Sequence, residues 1–148
     1  MKAVEHSVAG WPGVLGAGLA GGCLPLAFAP VDWAVLAVVA PAVLFYIADR
    51  APLRRALQAG YAFGLGLFGV GVSWVFVSIN DYGGAGALLS GLVTVGFVVL
   101  LAVFPLLVVL LGRWVTGSAG VRLLLAFPAA WVLLEWVRIW LFTGFPWL

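Results

Sequence analysis

Apolar residues run through this chain in blocks longer than a surface helix or a strand requires. No Asp, Glu, Lys or Arg occurs at 7–31, 33–48, 56–80 or 82–112. About 20 consecutive apolar residues cross the hydrocarbon core of a bilayer, so gaps of this size read as membrane spans. Divided at turn and breaker residues, they predict five transmembrane helices at 11–28, 31–49, 57–79, 86–112 and 121–142. The connections are short and punctuated by Pro, Gly or Asp. They are Ala29 to Asp32, Asp49 to Arg55 with Pro52, Asn80 to Ala85 with Gly83 and Gly84, and Arg113 to Arg122 with Gly117 and Gly120. The expected fold class is an all-α polytopic helical membrane protein, with residues 1–148 forming one transmembrane domain.

Charge orients that domain. Lys2, Arg50, Arg54, Arg55, Arg113 and Arg122 fall on one side of the expected topology, and the opposite loops hold only Asp32 and Asp81. By the positive-inside rule the N-terminus, the second loop and the fourth loop face the cytoplasm, and Leu148 falls on the outer face. Composition points the same way. The chain is 66% hydrophobic and 8% charged, where a soluble domain carries about 25% charged residues. The formal charge of +2 arises from seven basic residues scattered between spans, which form no patch able to track a nucleic acid. A cleaved signal peptide would use Ala27-Phe28-Ala29 as its small-residue site, but the uncharged stretch exceeds an h-region, Glu5 accompanies Lys2, and Pro30 would follow the scissile bond.

Several residues stand out against the apolar background. Gly18 and Gly22 in the first span, like Gly60 and Gly64 in the third, are small-xxx-small pairs that let helix backbones approach in lipid, so spans one and three are expected to pack closely. The outer half of the third span turns polar and aromatic at Ser73, Trp74, Ser78, Asn80, Asp81 and Tyr82. At 100° per residue these positions make one polar side, which reads either as an interfacial anchor or as a wall of a binding cleft. In the fifth span Glu135 and Arg138 lie among Trp131, Trp136, Trp140 and Phe142. Three residues apart, they share a helix face and form an ion pair that lowers the cost of charge at membrane depth. That pair either ties helices together or meets a lipid or substrate headgroup.

A catalytic set is missing. His6 is the sole histidine and Lys2 the sole lysine, both in the cytoplasmic tail, so neither a serine–histidine nor a serine–lysine nucleophile can be assembled in the bilayer. No zinc site of the His-Glu-x-x-His type exists. Cys23 has no nearby activator and is expected to be a small buried apolar residue. Asp32, Asp49 and Asp81 lie at span ends on different sides, unsuited to a carboxylate pair. No metal and no cofactor is implied.

Three stretches together resemble apolipoprotein N-acyltransferases. They are Leu26-Ala27-Phe28-Ala29-Pro30-Val31-Asp32, then Gly64-Leu65-Gly66-Leu67-Phe68-Gly69 running into Ser73-Trp74-Val75-Phe76-Val77-Ser78-Ile79 and Gly83-Gly84, and finally Leu134-Glu135-Trp136-Val137-Arg138 running into Thr143-Gly144-Phe145-Pro146-Trp147-Leu148. Their order and spacing cover essentially the whole chain. Ile139 departs from the family pattern, which often has glycine there.

The resemblance implies the last step of bacterial lipoprotein maturation, at the outer face of the cytoplasmic (inner) membrane. A fatty acyl chain passes from a membrane phospholipid to the amine of an N-terminal diacylglyceryl-cysteine of an apolipoprotein. It further implies a ping-pong mechanism in which a cysteine, activated by a glutamate and a lysine in a nitrilase-like domain, carries the acyl group as a thioester. Cys23 matches no part of that motif, so no catalytic residue is assigned in this chain, and these 148 residues are expected to be a multi-pass scaffold, inactive alone. Trp74, Ser78, Asn80, Asp81, Glu135, Arg138, Phe145 and Trp147 are the candidates for its lipid and substrate cleft. Two alternatives remain: a small self-sufficient transporter or channel, and a non-catalytic membrane scaffold for a separate subunit.

Overall fold

The computed structural model describes Val8 and residues 10–142, and all regular structure among them is helical. Helix α1 spans Trp11–Cys23 and ends in a 3-10 turn at Leu24–Ala27. Helix α2 spans Leu36–Arg50, α3 Leu53–Gly71, and α4 Trp74–Tyr82, while α5 covers Ala87–Trp114 and α6 Ala119–Leu141. Two of these, α5 with 28 residues and α6 with 23, are long and apolar enough to cross a membrane. Helices α3 and α4 make a third if their 46° bend lies within one span.

The first two expected spans give shorter helices. The α1 segment stops where Pro25 leads into the 3-10 turn. A compact turn follows, held by Asp32 N–H donating to Phe28 O (3.1 Å) and Trp33 N–H donating to Leu26 O (3.0 Å). What remains for α2 is 15 residues, a rise of about 22 Å, short of a 30 Å core. The third span also starts earlier than expected, at Leu53 directly after Pro52, because proline is well placed at a helix start and arginines in the first turn can extend their charges away from the apolar face.

One end of the bundle is tied by polar and cation–π contacts. Arg113 Nη1 donates to the carbonyls of Ala48 (2.9 Å), Asp49 (2.8 Å) and Ala51 (3.2 Å), satisfying acceptors at the C-terminal end of α2 that the helix cannot satisfy itself. Arg122 Nε pairs with Asp49 Oδ1 at 2.5 Å. Arg55 lies 4.4 Å over the ring of Trp11. The start of α1, the α2–α3 turn and the α5–α6 turn therefore share one end of the bundle, which collects the basic residues. The turn after α1 and the α4–α5 turn lie at the other.

Helix α3 is the hub: it packs most extensively against α1 and also against α2 and α5, while α6 closes on α5. Glycines permit the close approaches: Gly18 and Gly22 of α1 meet α3 as expected, whereas Gly60 and Gly64 of α3 face a different partner. A Cβ on Gly66 would land on Gly18 O of α1, and one on Gly64 would lie 2.6 Å from Ala102 Cα of α5. The Gly60 and Gly64 pair thus serves the α3–α5 contact, and α1 is met instead through Gly66. Replacing Gly64 with Ala is expected to lower stability in detergent micelles by about 1–3 kcal/mol, the usual cost of overpacking. Gly69, whose Cβ would meet nothing within 4 Å, is the control; equal unfolding midpoints for the two alanine variants would refute the close-packing account.

Around this hub the core is aromatic. Phe63, Phe68 and Phe127 are fully buried. Phe45 stacks on Phe127 at 5.3 Å, and Trp131 sets its edge against Phe45 (6.2 Å) and Phe63 (5.9 Å). Outward faces are apolar as well, with Leu19, Leu88, Leu124, Val132 and Trp140 exposed, as lipid-facing helices require. Two wide turns with π-helical hydrogen bonding interrupt the regular pitch, at Ser78–Tyr82 and at Arg122–Ala126.

Candidate functional site

Trp131, Glu135 and Arg138 recur four and then three residues apart on α6, so the helix presents them on one face. That face meets α3 near the end of the bundle opposite the basic turns. Glu135 Oε2 accepts from Arg138 Nη2 at 2.5 Å. Arg138 is only 3% exposed, and its guanidinium carbon sits 5.1 Å from the ring centroid of Phe68, where a cation gains from the negative face of the ring. The Glu135 side chain keeps about a third of its surface open (34%). A lone charge at membrane depth costs roughly 2.5–3.5 kcal/mol on insertion scales, which this pairing offsets.

Not every donor is used. Arg138 Nη1 is buried and has no hydrogen-bond partner among the described residues. The side chains of Glu135 and Arg138 also line a cavity of about 180 Å³. Leu24 and Phe28 wall it from the turn after α1, Ala37 and Pro41 from α2, and Leu67 from α3, while Trp131 joins Glu135 and Arg138 from α6. The result is an apolar pocket with one net-neutral ion pair in its wall. It can bind; it presents no nucleophile or base free of its partner.

The other candidates are placed elsewhere. Trp74, Ser78 and Asp81 are exposed and Asn80 half-buried on α4, and none lines the Arg138 cavity. Asn80 Nδ2 donates to Asp81 Oδ1 at 2.6 Å, and Ser73 Oγ donates to Val70 O at 3.0 Å. Phe145 and Trp147 lie outside the described residues. Cys23 is exposed at the end of α1, not buried as expected, because the helix stops there before turning inward with Leu24. The pocket residues on the turn, α2 and α3 escape a reading of the sequence, since each is an ordinary apolar residue until the helices bring it to Arg138. Pro41 inside α2 and Trp131 one turn before Glu135 were the available signals.

Comparison with known proteins agrees with the resemblance. Residues 20–148 match the family model described as the apolipoprotein N-acyltransferase N-terminal domain. Over 132 residues, covering 88% of this chain and 26% of the relative, it is 52% identical to an apolipoprotein N-acyltransferase of Methylococcus capsulatus. It is 46% identical over 141 residues to one of Azotobacter vinelandii, covering 94% of this chain and 27% of that protein. It is 47% identical over 134 residues to one of Coxiella burnetii, covering 88% and 27%. The chain thus spans about a quarter of the length of these relatives. With the three stretches in order and the model matched from residue 20 onward, the chain belongs to the apolipoprotein N-acyltransferase family.

Proposed function

We propose that residues 1–148 are the membrane domain of a bacterial apolipoprotein N-acyltransferase. In this reading the domain crosses the cytoplasmic membrane five times, with its N-terminus inside. It serves the transfer of a fatty acyl chain from a phospholipid to the N-terminal diacylglyceryl-cysteine amine of a lipoprotein. Glu135 and Arg138, with Trp74, Ser78, Asn80, Asp81, Phe145 and Trp147, shape the lipid and substrate side of the domain. Acyl transfer itself belongs to a nitrilase-like domain carrying a Glu, Lys and Cys set; here Lys2 and Cys23 are the sole residues of their kinds, and they lie in the N-terminal tail and the end of α1.

The observation that carries the reading is the family match over residues 20–148. The Glu135–Arg138 pair, with its arginine buried, supports it as well, since it borders an apolar cavity at the end of the bundle away from the basic turns. Positive residues favour the cytoplasmic side, so the cavity end would face outward, where lipoprotein maturation takes place. A domain exchange tests this. Residues 20–148 are grafted in place of the matching segment of the Methylococcus capsulatus relative, and acylation of a diacylglyceryl-cysteine lipopeptide is read as a mass increase. The chimera is expected to acylate, and this chain alone is not. A chimera that inserts and accumulates normally yet transfers nothing would overturn the reading, as would transfer by this chain alone.

A further inference from the structure

The basic end of the bundle holds a second pocket, away from the cavity at Glu135 and Arg138. Asp49 at the end of α2, Arg113 on α5, Val115, Thr116 and Gly117 in the turn after it, and Arg122 on α6 surround a space of about 370 Å³. Its charges do not cancel. Arg122 donates from Nε to Asp49 Oδ1 and from Nη1 to Gly117 O (2.6 Å), so one cation and one anion are matched. Arg113 bonds backbone carbonyls alone, at Ala48, Asp49 and Ala51, and no carboxylate among the described residues pairs with it. Carbonyl dipoles hold that guanidinium in place without neutralising it, so two arginines against one aspartate leave a positive charge in the wall. Donors remain as well. Arg113 Nε and Nη2 and Arg122 Nη2 have no hydrogen-bond partner among the described residues, yet none of them is buried, since the buried unpartnered side-chain nitrogen there is that of Arg138.

The pocket is continued by apolar surface. Val115 also walls a groove between α5 and α6, with Leu111 and Trp114 on one side and Ala126, Ala129 and Leu133 on the other. Trp114 is exposed, and an exposed Trp beside arginines marks the headgroup level of a membrane.

A ligand that fits both spaces carries a negative head and an apolar chain. A soluble anion would use the pocket and not the groove, and an uncharged lipid would use the groove and leave the charge unmatched. A zwitterionic headgroup fits less well. The Asp49 side chain is only 6% exposed and is committed to Arg122, so a headgroup ammonium finds no free carboxylate, and Arg50 and Arg54, both exposed at this end, repel it.

We propose that the pocket at Arg113 and Arg122 binds the phosphate diester of an anionic phospholipid, one of whose acyl chains lies in the α5–α6 groove. The lipid belongs to the membrane leaflet at the basic end, the cytoplasmic one under the proposed topology, where anionic headgroups meet juxtamembrane arginines. It is not the acyl donor of the proposed reaction, whose cleft lies at the other end of the bundle. The site requires only that the basic end lies at a membrane surface.

The test uses the purified full-length protein in phosphatidylcholine nanodiscs containing a small share of photoactivatable lipid. That lipid is either phosphatidylglycerol or phosphatidylcholine, each with a diazirine on the same acyl carbon. The phosphatidylglycerol probe is expected to label residues 126–133 about fivefold more than the phosphatidylcholine probe, the ratio that one unbalanced arginine supplies near a membrane surface. Arg122→Gln should bring the ratio close to one. Arg54→Gln, which removes an equal charge from the same end outside the pocket, should leave it unchanged, and Ala129→Trp, which fills the groove, should lower labelling by both probes. Equal labelling by the two probes in the unsubstituted protein overturns the proposal, whether or not a variant accumulates. So does a preference that Arg122→Gln leaves intact, or one that Arg54→Gln lowers as much, the mark of diffuse attraction to the basic end. Absence of label from residues 126–133 with either probe does so too, the result expected if another part of the protein covers the groove. Inorganic phosphate exchanged for chloride at constant ionic strength should not change the labelling. If it lowers the phosphatidylglycerol signal to the phosphatidylcholine level, the pocket is a site for the soluble anion and the lipid proposal falls. Acyl transfer is read separately by the domain exchange, so either reading can fail without the other.

Discussion

Arg138→Met is expected to lose about 1–3 kcal/mol of stability, the cost of leaving a partly buried polar group without its partner. The loss has a specific origin. Arg138 is nearly sealed from solvent, and Nη2 lies 2.5 Å from Glu135 Oε2, so removing the guanidinium leaves a carboxylate without its cation in the wall of an apolar cavity. The double variant Glu135→Gln/Arg138→Met removes both charges together. It should be more stable than Arg138→Met alone, because the penalty lies in the unpaired charge more than in the missing contact. Unfolding midpoints of the wild type, both single variants and the double variant in one detergent complete the cycle. Additive single effects would mean that the two residues do not act as a pair.

The second large effect is expected at the opposite end of the bundle. Arg113 Nη1 holds the carbonyls of Ala48, Asp49 and Ala51, and no helical N–H is available to replace it at the end of α2. Arg113→Ala should cost on the order of 3 kcal/mol, since hydrogen bonds to a charged group contribute roughly 1.5–3 kcal/mol each and this donor is shared among three acceptors. Arg113→Lys should recover only part of that loss, as a compact ammonium cannot reproduce the reach of a guanidinium fork. Hydrogen exchange at the α2–α3 turn gives the local readout. If protection there is unchanged in Arg113→Ala, Arg113 is not what fixes the end of α2.

The parts of the fold legible in the sequence are those marked by charge. The spans expected at 86–112 and 121–142 correspond to Ala87–Trp114 and Ala119–Leu141, because Asp81, Arg113 and Arg122 mark the limits of apolar runs. Charge gives no such mark within 7–31 or 56–80. There the breaks come from backbone geometry, with Pro25 ending α1 early and a 46° bend separating α3 from α4. The Glu135–Arg138 pair was legible because both members sit on one helix at a fixed spacing. Its cavity was not, because Leu24, Ala37, Pro41 and Leu67 reach it from three other segments. The polar positions of α4 show the same limit: a uniform 100° wheel placed Ser73, Asn80 and Asp81 on one side, whereas the π-helical turn at Ser78–Tyr82 changes the angular step partway along.

The wide turn at Arg122–Ala126 has a similar effect on α6, on a larger scale. It accommodates one residue more than an α-helical turn, and each residue of an α-helix advances by about 100° around the axis. Arg122 faces Asp49 on one side of that turn, and Arg138 faces Phe68 beyond it. Were the helix uniform, the two arginines would be out of phase by that angle, and anchoring one would swing the other toward lipid. A single inserted residue therefore acts as a phase corrector, letting one rod be pinned at the basic end of the bundle while its far end stays aimed at the cavity.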